Sequence, residues 1–412
     1  MSIKVVTFGC KLNIYESQII EKNAAQAGLN NTIIFNSCAV TQEAERKLKQ
    51  AIKKAKSEMP NRQIVVTGCA AQISTKKYAD MPEVNYILGN HEKLKHDTYK
   101  QLLVSDNSVM VSDIMSIKET IHYMVDGISN KSRAFLQIQN GCNHRCTFCT
   151  IPYGRGNSRS VPMQDIIAYA KNLEGKGYQE LVLTGVDITD YGLDLPEEIR
   201  LGTMVSRLLK IVPGIQRVRL SSIDVAEIDK KLFDIIVSEP RLMPHLHLSL
   251  QSGDDLILKR MKRRHRVEQV VDFCNKVHKL RPKIVLGADI IAGFPTETDK
   301  MFQNTYNLIK DLNIVHLHVF PYSPRNNTPA TKMPQIKGYI IKNRAKMLRS
   351  LKDDLMTKLI LKKIGKKENV LAESNSYGYT EDYCKVYFTQ DLQRGRIYKL
   401  KLNSIKDHYL VS

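Results

Sequence analysis

Three cysteines, Cys142, Cys146 and Cys149, stand in a C-x3-C-x2-C spacing within one short stretch of a 412-residue chain. Thiolates are the natural ligands of iron–sulfur clusters, and a tight run lets one loop supply several of them. A cubane cluster has four irons, so three protein ligands leave one iron free to bind something else. Zinc is the competing assignment, but a structural zinc site wants four ligands, and His144, the nearest candidate, lies inside the loop with awkward reach.

A second set of cysteines is spread along the N-terminal third. Apolar, strand-like runs at 3–8, 32–36 and 63–67 end at Cys10, Cys38 and Cys69, and helical patterns at about 14–27 and 42–57 separate them. Alternating strands and helices imply a parallel sheet, whose ligands bind beyond the carboxyl ends of the strands. Each cysteine stands at such an end, so all three can converge on one point and again leave one iron open.

Further along, strand-like runs at 134–140, 180–184, 217–220, 245–250, 284–291 and 314–320 alternate with helical patterns at 162–176, 203–210, 226–238 and 267–280. Six such units point to an incomplete parallel barrel, with its chemistry at the carboxyl ends of the strands. The Cys142 loop follows the first of them. Other strand ends carry glycines, hydroxyls and carboxylates, among them Gly185, Asp187, Ser221, Gln251 and Asp289. Such groups suit close backbone approach and binding of an ammonium or a ribose, and equally serve as ordinary loop caps. A helix rich in lysine and arginine, about 339–364, leads to short strands at 369–373, 383–387, 395–402 and 408–411, enough for a small antiparallel barrel. The segment 105–131 reads as a polar linker with one edge strand. The expected fold class is α/β, with an N-terminal parallel sheet domain over 1–115, a central incomplete (β/α)6 barrel over 132–335, a connecting helix over 336–366 and a small antiparallel barrel over 367–412.

The net charge is +20, from 62 Lys and Arg against 42 Asp and Glu. That favours a polyanionic partner, although a generally basic surface would give the same total. The run Lys259–Arg266 holds six lysines and arginines, among them Lys259, Arg260, Arg263 and Arg264; such a run is by default a solvated face, and its place after a barrel strand suits contact with a nucleic-acid backbone. Tyr379 and Tyr383 are candidates for RNA stacking in the last domain, or for packing its core. No apolar run reaches membrane-spanning length, and the N-terminus runs straight into a strand. A cytoplasmic protein with reduced cysteines is expected. Cys274 and Cys384 fit neither set.

The string from Gly141 to Ser160, with Cys142, Cys146, Phe148, Cys149, Arg155 and Arg159 in place, closely resembles the cluster loop of radical S-adenosylmethionine methylthiotransferases. Thr-Phe-Gly-Cys-Lys-Leu-Asn (7–13), Asn-Ser-Cys-Ala-Val (36–40) and Thr-Gly-Cys-Ala-Ala-Gln (67–72) resemble that family's N-terminal domain, and Gly-Tyr-Thr-Glu-Asp-Tyr (378–383) its C-terminal RNA-binding (TRAM-like) domain. The resemblance implies two 4Fe-4S clusters. One, on Cys142, Cys146 and Cys149, binds S-adenosyl-L-methionine and yields a 5′-deoxyadenosyl radical. The other, auxiliary, on Cys10, Cys38 and Cys69, is associated with the transferred sulfur. It also implies that Phe148 lies near the adenine of the cofactor and that Gly185 to Asp187 occupies the motif contacting its methionine amino group, with Asp289 in the fifth-strand motif. Ser221 and Gln251 are further candidate contacts.

The implied reaction is addition of a methylthio group to C2 of a tRNA adenosine at position 37. Lys11 and Leu12 resemble the branch acting on N6-threonylcarbamoyladenosine, since the isopentenyladenosine branch usually has glutamine and methionine there. A third branch modifies a ribosomal-protein aspartate. The expected partners are tRNA, an electron donor and a sulfur source, with no membrane. A non-catalytic iron–sulfur tRNA-binding protein is the rival of another class.

Overall fold

The computed structural model describes residues 3–104, 107–119, 132–197, 199–407 and 409–412. Its N-terminal sheet has five parallel strands in chain order, Lys4–Thr7, Thr32–Ser37, Gln63–Gly68, Tyr86–Leu88 and Val109–Met110. Successive side chains of a strand point to opposite faces. Ile33, Phe35, Ile64 and Val66 therefore pack with Leu48 and Ile52 of the helix Gln42–Glu58, while Ile34 and Val65 pack on the other face with Ile20 and Ala24 of the helix Lys11–Gln26. That helix starts directly after Cys10, three residues earlier than its apolar pattern suggests. The edge strand expected in the linker is Val109–Met110; linker residues 105, 106 and 120–131 lie outside the described residues.

The barrel strands are Arg133–Gln137, Glu180–Thr184, Arg217–Leu220, His245–Gln251, Val285–Ala292 and Ile314–Pro321. They form two parallel three-stranded sections, joined by isolated bridges between Val218 and Leu242 and between Ile223 and Leu248. The first strand is shorter than the apolar run suggests, because Gln139–Asn140 leaves it to pair antiparallel with Arg159–Ser160 and so closes the base of the Cys142 loop. The helix Gly338–Leu361 lays Ala345, Leu348, Leu351 and Leu355 into the barrel core.

The helix Lys11–Gln26 binds the two halves together. Leu12, Tyr15 and Ile19 face the barrel's apolar core, and Ile20 and Ala24 face their own sheet. Full burial of each large side chain stabilises the junction by about 1.5–3 kcal/mol, and the same helix start carries Cys10.

The C-terminal sheet has six strands rather than four, in the order Ile397–Lys401, Lys367–Ala372, Tyr377–Thr380, Lys385–Tyr387, Tyr409–Val411, Ser404–Lys406. All its pairs are antiparallel except Lys385–Tyr387 with Tyr409–Val411. The expected strand from 383 begins only at Lys385, because Tyr383 sits in a turn at φ +72°. The expected last strand started at His408, which lies outside the described residues. Among the described residues no helix is long and apolar enough to cross a membrane.

Candidate active site

The barrel mouth opens into a cavity of about 390 Å³ whose wall includes Cys142, Cys146 and Cys149 on one side and Cys10 on the other. Cys38 and Cys69 stand behind Cys10. Gly9 turns at φ +103°, and a Cβ there would lie 2.8 Å from Cys38 Cβ, so only glycine lets the chain pass so close. A Cβ on Gly154, in the short helix after the Cys142 loop, would lie 3.2 Å from Cys69 Cβ. The cluster loop thus rests on the other cysteine set.

None of the cysteines is in a disulfide. Burial, followed by the neighbouring Cys69, pushes the Cys38 thiol up to about 11. Burial and Cys146 push Cys149 up to about 12, and burial and Asp187 raise Cys142. Sulfurs crowded in this way disfavour one another's ionisation and accept a cationic cluster, which removes that repulsion. The donors fit an iron–sulfur group in threes. His144, the possible fourth ligand for zinc, is committed elsewhere: its Nε2 lies 2.9 Å from Asp187 and 3.1 Å from Glu227. These are ion-pair distances without in-line hydrogen-bond geometry. Asp187 and then Glu227 push the imidazole up to about 10, so it is a cation at neutral pH.

Between the two sets lies Arg155, which is 2% exposed. Its guanidinium donates to Glu16 Oε1 at 2.7 Å and Oε2 at 3.0 Å, to Asn13 Oδ1 at 2.5 Å and to Asn140 Oδ1 at 3.1 Å. Lys93, also fully buried, donates to Glu16 at 2.7 Å. Burial alone would raise Glu16, but Arg155 and Lys93 outweigh it and hold the carboxyl down at about 2. Two cations on one carboxylate leave net positive charge, and Arg155 lies within Coulombic reach of Cys69 and Cys10. This network was not foreseen; the Arg155 and Arg159 spacing was visible, but its partners on a distant helix were not.

Of the expected cofactor contacts, Phe148, Gly185, Asp187, Gln251 and Asp289 line the cavity. Ser221 does not. Alternation along the chain turns its neighbours Ser222 and Asp224 to the cavity instead, and the Ser221 hydroxyl is buried with no hydrogen-bond partner among the described residues. Phe148 meets Phe294 edge-on at 6.4 Å. Gly185 packs so closely that a Cβ would lie 2.8 Å from Gln139 Oε1, the oxygen that accepts from the backbone N–H of Val186 and Asp187.

The basic run divides. Lys259 and Arg264 are exposed, with Arg264 paired to Glu227 at 2.6 Å. Arg260 is half-buried and donates to Thr296 Oγ1 at 2.8 Å. Arg263 turns inward, contrary to its expected place on an RNA-facing surface. Its side chain is 8% exposed, paired to Asp224 at 2.7 Å and 3.6 Å from Cys146 Sγ, because Asp224 offers the buried carboxylate that its charge requires. Tyr379 and Tyr383 take the packing alternative, against the central barrel. Their rings stack at 5.0 Å and pack under the barrel, with Arg133 within 5.2 Å of both, Arg219 over Tyr383, and His245 stacked on Tyr383. Cationic barrel residues hold these half-buried rings against the barrel.

Arg217 and Arg219, His245 and His247, and His316 and His318 sit at two-residue spacing on three strands. His247 and His318 both approach Asp289 Oδ1 at 3.0 Å. Gly287 lies between the outer two strands, where a Cβ would meet His247 at 2.6 Å and His316 at 2.7 Å. The paired His-x-His spacing is the sequence signal of this cluster, because residues two apart on a strand share a face.

Residues 136–309 match the model of the Radical SAM superfamily, and residues 2–89 that of the uncharacterized protein family UPF0004. A threonylcarbamoyladenosine tRNA methylthiotransferase MtaB of Rickettsia prowazekii is 50% identical over 407 residues, covering 99% of this chain and 96% of the relative. The protein of that name from Bacillus subtilis is 35% identical, covering 96% and 92%. A tRNA-2-methylthio-N(6)-dimethylallyladenosine synthase of Ehrlichia chaffeensis is 32% identical, covering 80% and 78%. Among solved structures, the radical S-adenosylmethionine methyltransferase TsrM of Kitasatospora setae shares the fold, with a TM-score of 0.56 at 11% identity over 79% of this chain and 77% of that one. With identity of this extent along nearly the whole of both chains, the protein belongs to the threonylcarbamoyladenosine tRNA methylthiotransferase family of radical S-adenosylmethionine enzymes.

Proposed function

We propose that this chain adds a methylthio group to C2 of N6-threonylcarbamoyladenosine at position 37 of tRNA, next to the anticodon. The observation that carries the reading is the one cavity walled by Cys142, Cys146 and Cys149 and by Cys10, with Cys38 and Cys69 close behind. Cys142, Cys146 and Cys149 would hold one 4Fe-4S cluster, and Cys10, Cys38 and Cys69 a second. Together with S-adenosylmethionine these groups supply one-electron cleavage of a sulfonium and a transferable sulfur, which an unactivated C2–H bond requires. An electron donor and a sulfur source would come from outside the chain.

The chain's own residues bind, orient and exclude water. Gly185 leaves backbone room beside the Asp187 carboxylate, which can accept from the cofactor's ammonium. Phe148, set edge-on to Phe294, offers an aromatic wall for its adenine. Asp289 is oriented by His247 and His318, and Gln251 reaches the same space. Ile291, Phe320 and Tyr322 give the cavity an apolar side that keeps bulk water out. Arg155 links the loop of the first set to the helix that Cys10 begins, through Glu16 and Asn13, and brings a cation within Coulombic reach of Cys69 and Cys10. Exposed Lys259 and Arg264, within a net charge of +20, suit a tRNA backbone.

Mass analysis of tRNA nucleosides from cells lacking the gene tests the reading. Loss of 2-methylthio-N6-threonylcarbamoyladenosine, restored by the wild-type gene and not by Cys146→Ala, is expected. An unchanged amount of that nucleoside, or loss of the isopentenyl counterpart instead, would refute it.

A further inference from the structure

A cation meets the first cysteine set directly. Arg263 lines the cavity, and its Nη1 lies 3.6 Å from Cys146 Sγ, while Nη2 donates to Asp224 Oδ2 and to the Ser249 carbonyl, both at 2.7 Å. Both sides of this contact are held. The turn that carries Arg263 takes Lys262 through φ +58°, and the Arg263 backbone N–H donates to the Leu258 carbonyl at 2.9 Å. Thr147, the residue after Cys146, donates from its backbone N–H to the Met261 carbonyl at 3.1 Å and from its hydroxyl to the Arg260 carbonyl at 2.8 Å. The cysteine loop is thus bonded to the same turn. Asp224 is fixed in its turn by His265 Nδ1 at 3.2 Å and by accepting from the Ala226 backbone N–H at 3.2 Å. Against the second set stands a neutral donor: Asn90 Nδ2 lies 3.7 Å from Cys69 Sγ. A guanidinium touches a sulfur of one set, and an amide touches a sulfur of the other.

We propose that Arg263, with Asp224 as its counter-charge, sets the reduction potential of the cluster that Cys142, Cys146 and Cys149 would hold. The assignment rests on the two-cluster reading above. Arg263 acts through Cys146, so it is a positioning residue for electron entry. Hydrogen bonds to the cluster sulfurs and the charge around them are among the levers that set such potentials. Reduction adds one electron, supplied by the external donor, and negative charge builds on the sulfurs. A charge-assisted N–H···S bond strengthens with that charge. The Arg263 side chain is only 8% exposed, so salt and water screen it weakly. Arg263 therefore favours the reduced state and raises the potential. Asp224 offsets part of the guanidinium charge and limits that rise. Cleavage of S-adenosylmethionine needs the reduced state, so this pair decides how much of the protein a given donor makes competent.

Electron paramagnetic resonance during an anaerobic redox titration of the iron-loaded protein is the test, following the signal that added S-adenosylmethionine shifts. R263Q keeps a neutral donor and removes the charge. At a fixed poise its ratio of reduced to oxidised cluster should fall about 10-fold, the size of a hydrogen bond to a charged group, or about 59 mV for a one-electron couple. D224N removes the counter-charge and should move the ratio the other way. A merely structural role would not give shifts of opposite sign. The signal that S-adenosylmethionine leaves unshifted should stay at its wild-type potential in both variants. An R263Q protein that keeps its iron and the wild-type ratio overturns the assignment, and so do shifts in the same direction. Weaker S-adenosylmethionine binding in R263Q at an unchanged ratio also overturns it, since Arg263 would then serve the cofactor and not the cluster. If R263Q loses iron, D224N decides: a raised ratio supports the assignment, and an unchanged or lowered one overturns it. A wild-type protein with no signal that S-adenosylmethionine shifts sinks the cluster reading itself, whereas an unmoved ratio sinks only the role of Arg263.

Discussion

The two cysteine sets reach one cavity by opposite routes. Cys142, Cys146 and Cys149 come from a single loop, anchored at its base by the pairing of Gln139–Asn140 with Arg159–Ser160. Cys10, Cys38 and Cys69 come from three parallel strands, and their convergence depends on sheet register, with Thr7 beside Asn36 and Asn36 beside Thr67. A loop set is a local property of the chain. A strand-end set is a property of the fold. Arg155 ties them, since it leaves the first loop and is held by Asn13 and Glu16 on the helix that Cys10 begins.

Breaking either set separates the two roles. Cys146→Ala is expected to abolish 5′-deoxyadenosine formation from S-adenosylmethionine, a loss of at least about 10³-fold for removal of an essential group. Cys38→Ala is expected to retain 5′-deoxyadenosine formation but give no methylthio product. Chromatography of both products checks the pair; loss of 5′-deoxyadenosine in both variants would contradict the division.

The tie between the sets is the next target. Arg155→Met leaves Glu16 buried with only Lys93, and breaking a buried pair costs about 3–5 kcal/mol. Chemical denaturation should show a loss of that order, together with loss of iron from both sets. A variant as stable as wild type would show that Arg155 does not join the halves.

The same network has a pH signature. The Glu16 carboxyl is held at about 2 in the folded protein, against an ordinary value of 4.5. A depressed acid contributes stability that is fully present above the ordinary value and is lost as pH falls through the folded one. The contribution, on the order of 3 kcal/mol from the linkage relation, therefore disappears between about pH 4.5 and 2. Asp224, held at about 2 by His265 and Arg263 against its own burial, adds a smaller loss in the same window. Glu16→Gln should flatten the acid limb of a stability-against-pH curve; an unchanged slope would count against the network. The smallest effect belongs to the surface: Arg264→Ala removes a half-exposed pair with Glu227 and should change stability by no more than about 1 kcal/mol.

Legibility followed the same division. The loop set was readable from spacing alone, and the strand-end set from the repeat of strand, cysteine and helix, because both rest on local order. What escaped was set by side-chain direction. Ser221 and Ser222 are adjacent, and only the packed strand decides which faces the cavity. Arg263 read as one of six cations in a surface run, yet Asp224, on another loop, draws it inside. Tyr383 read equally as an RNA-facing or a packing aromatic, and a turn at positive φ with the Arg133 and Arg219 cations decides for packing against the barrel. Nothing local marks Glu16, because the Arg155 and Lys93 that close over it are far away in sequence.

The central claim is that both sets bind iron, and anaerobic iron and sulfide analysis of the reconstituted protein tests it most directly. The account predicts about eight irons and eight sulfides per chain, falling to about four in Cys146→Ala and about four in Cys38→Ala. About four irons in the wild type with no further loss in Cys38→Ala, or zinc in place of the second four, would contradict it.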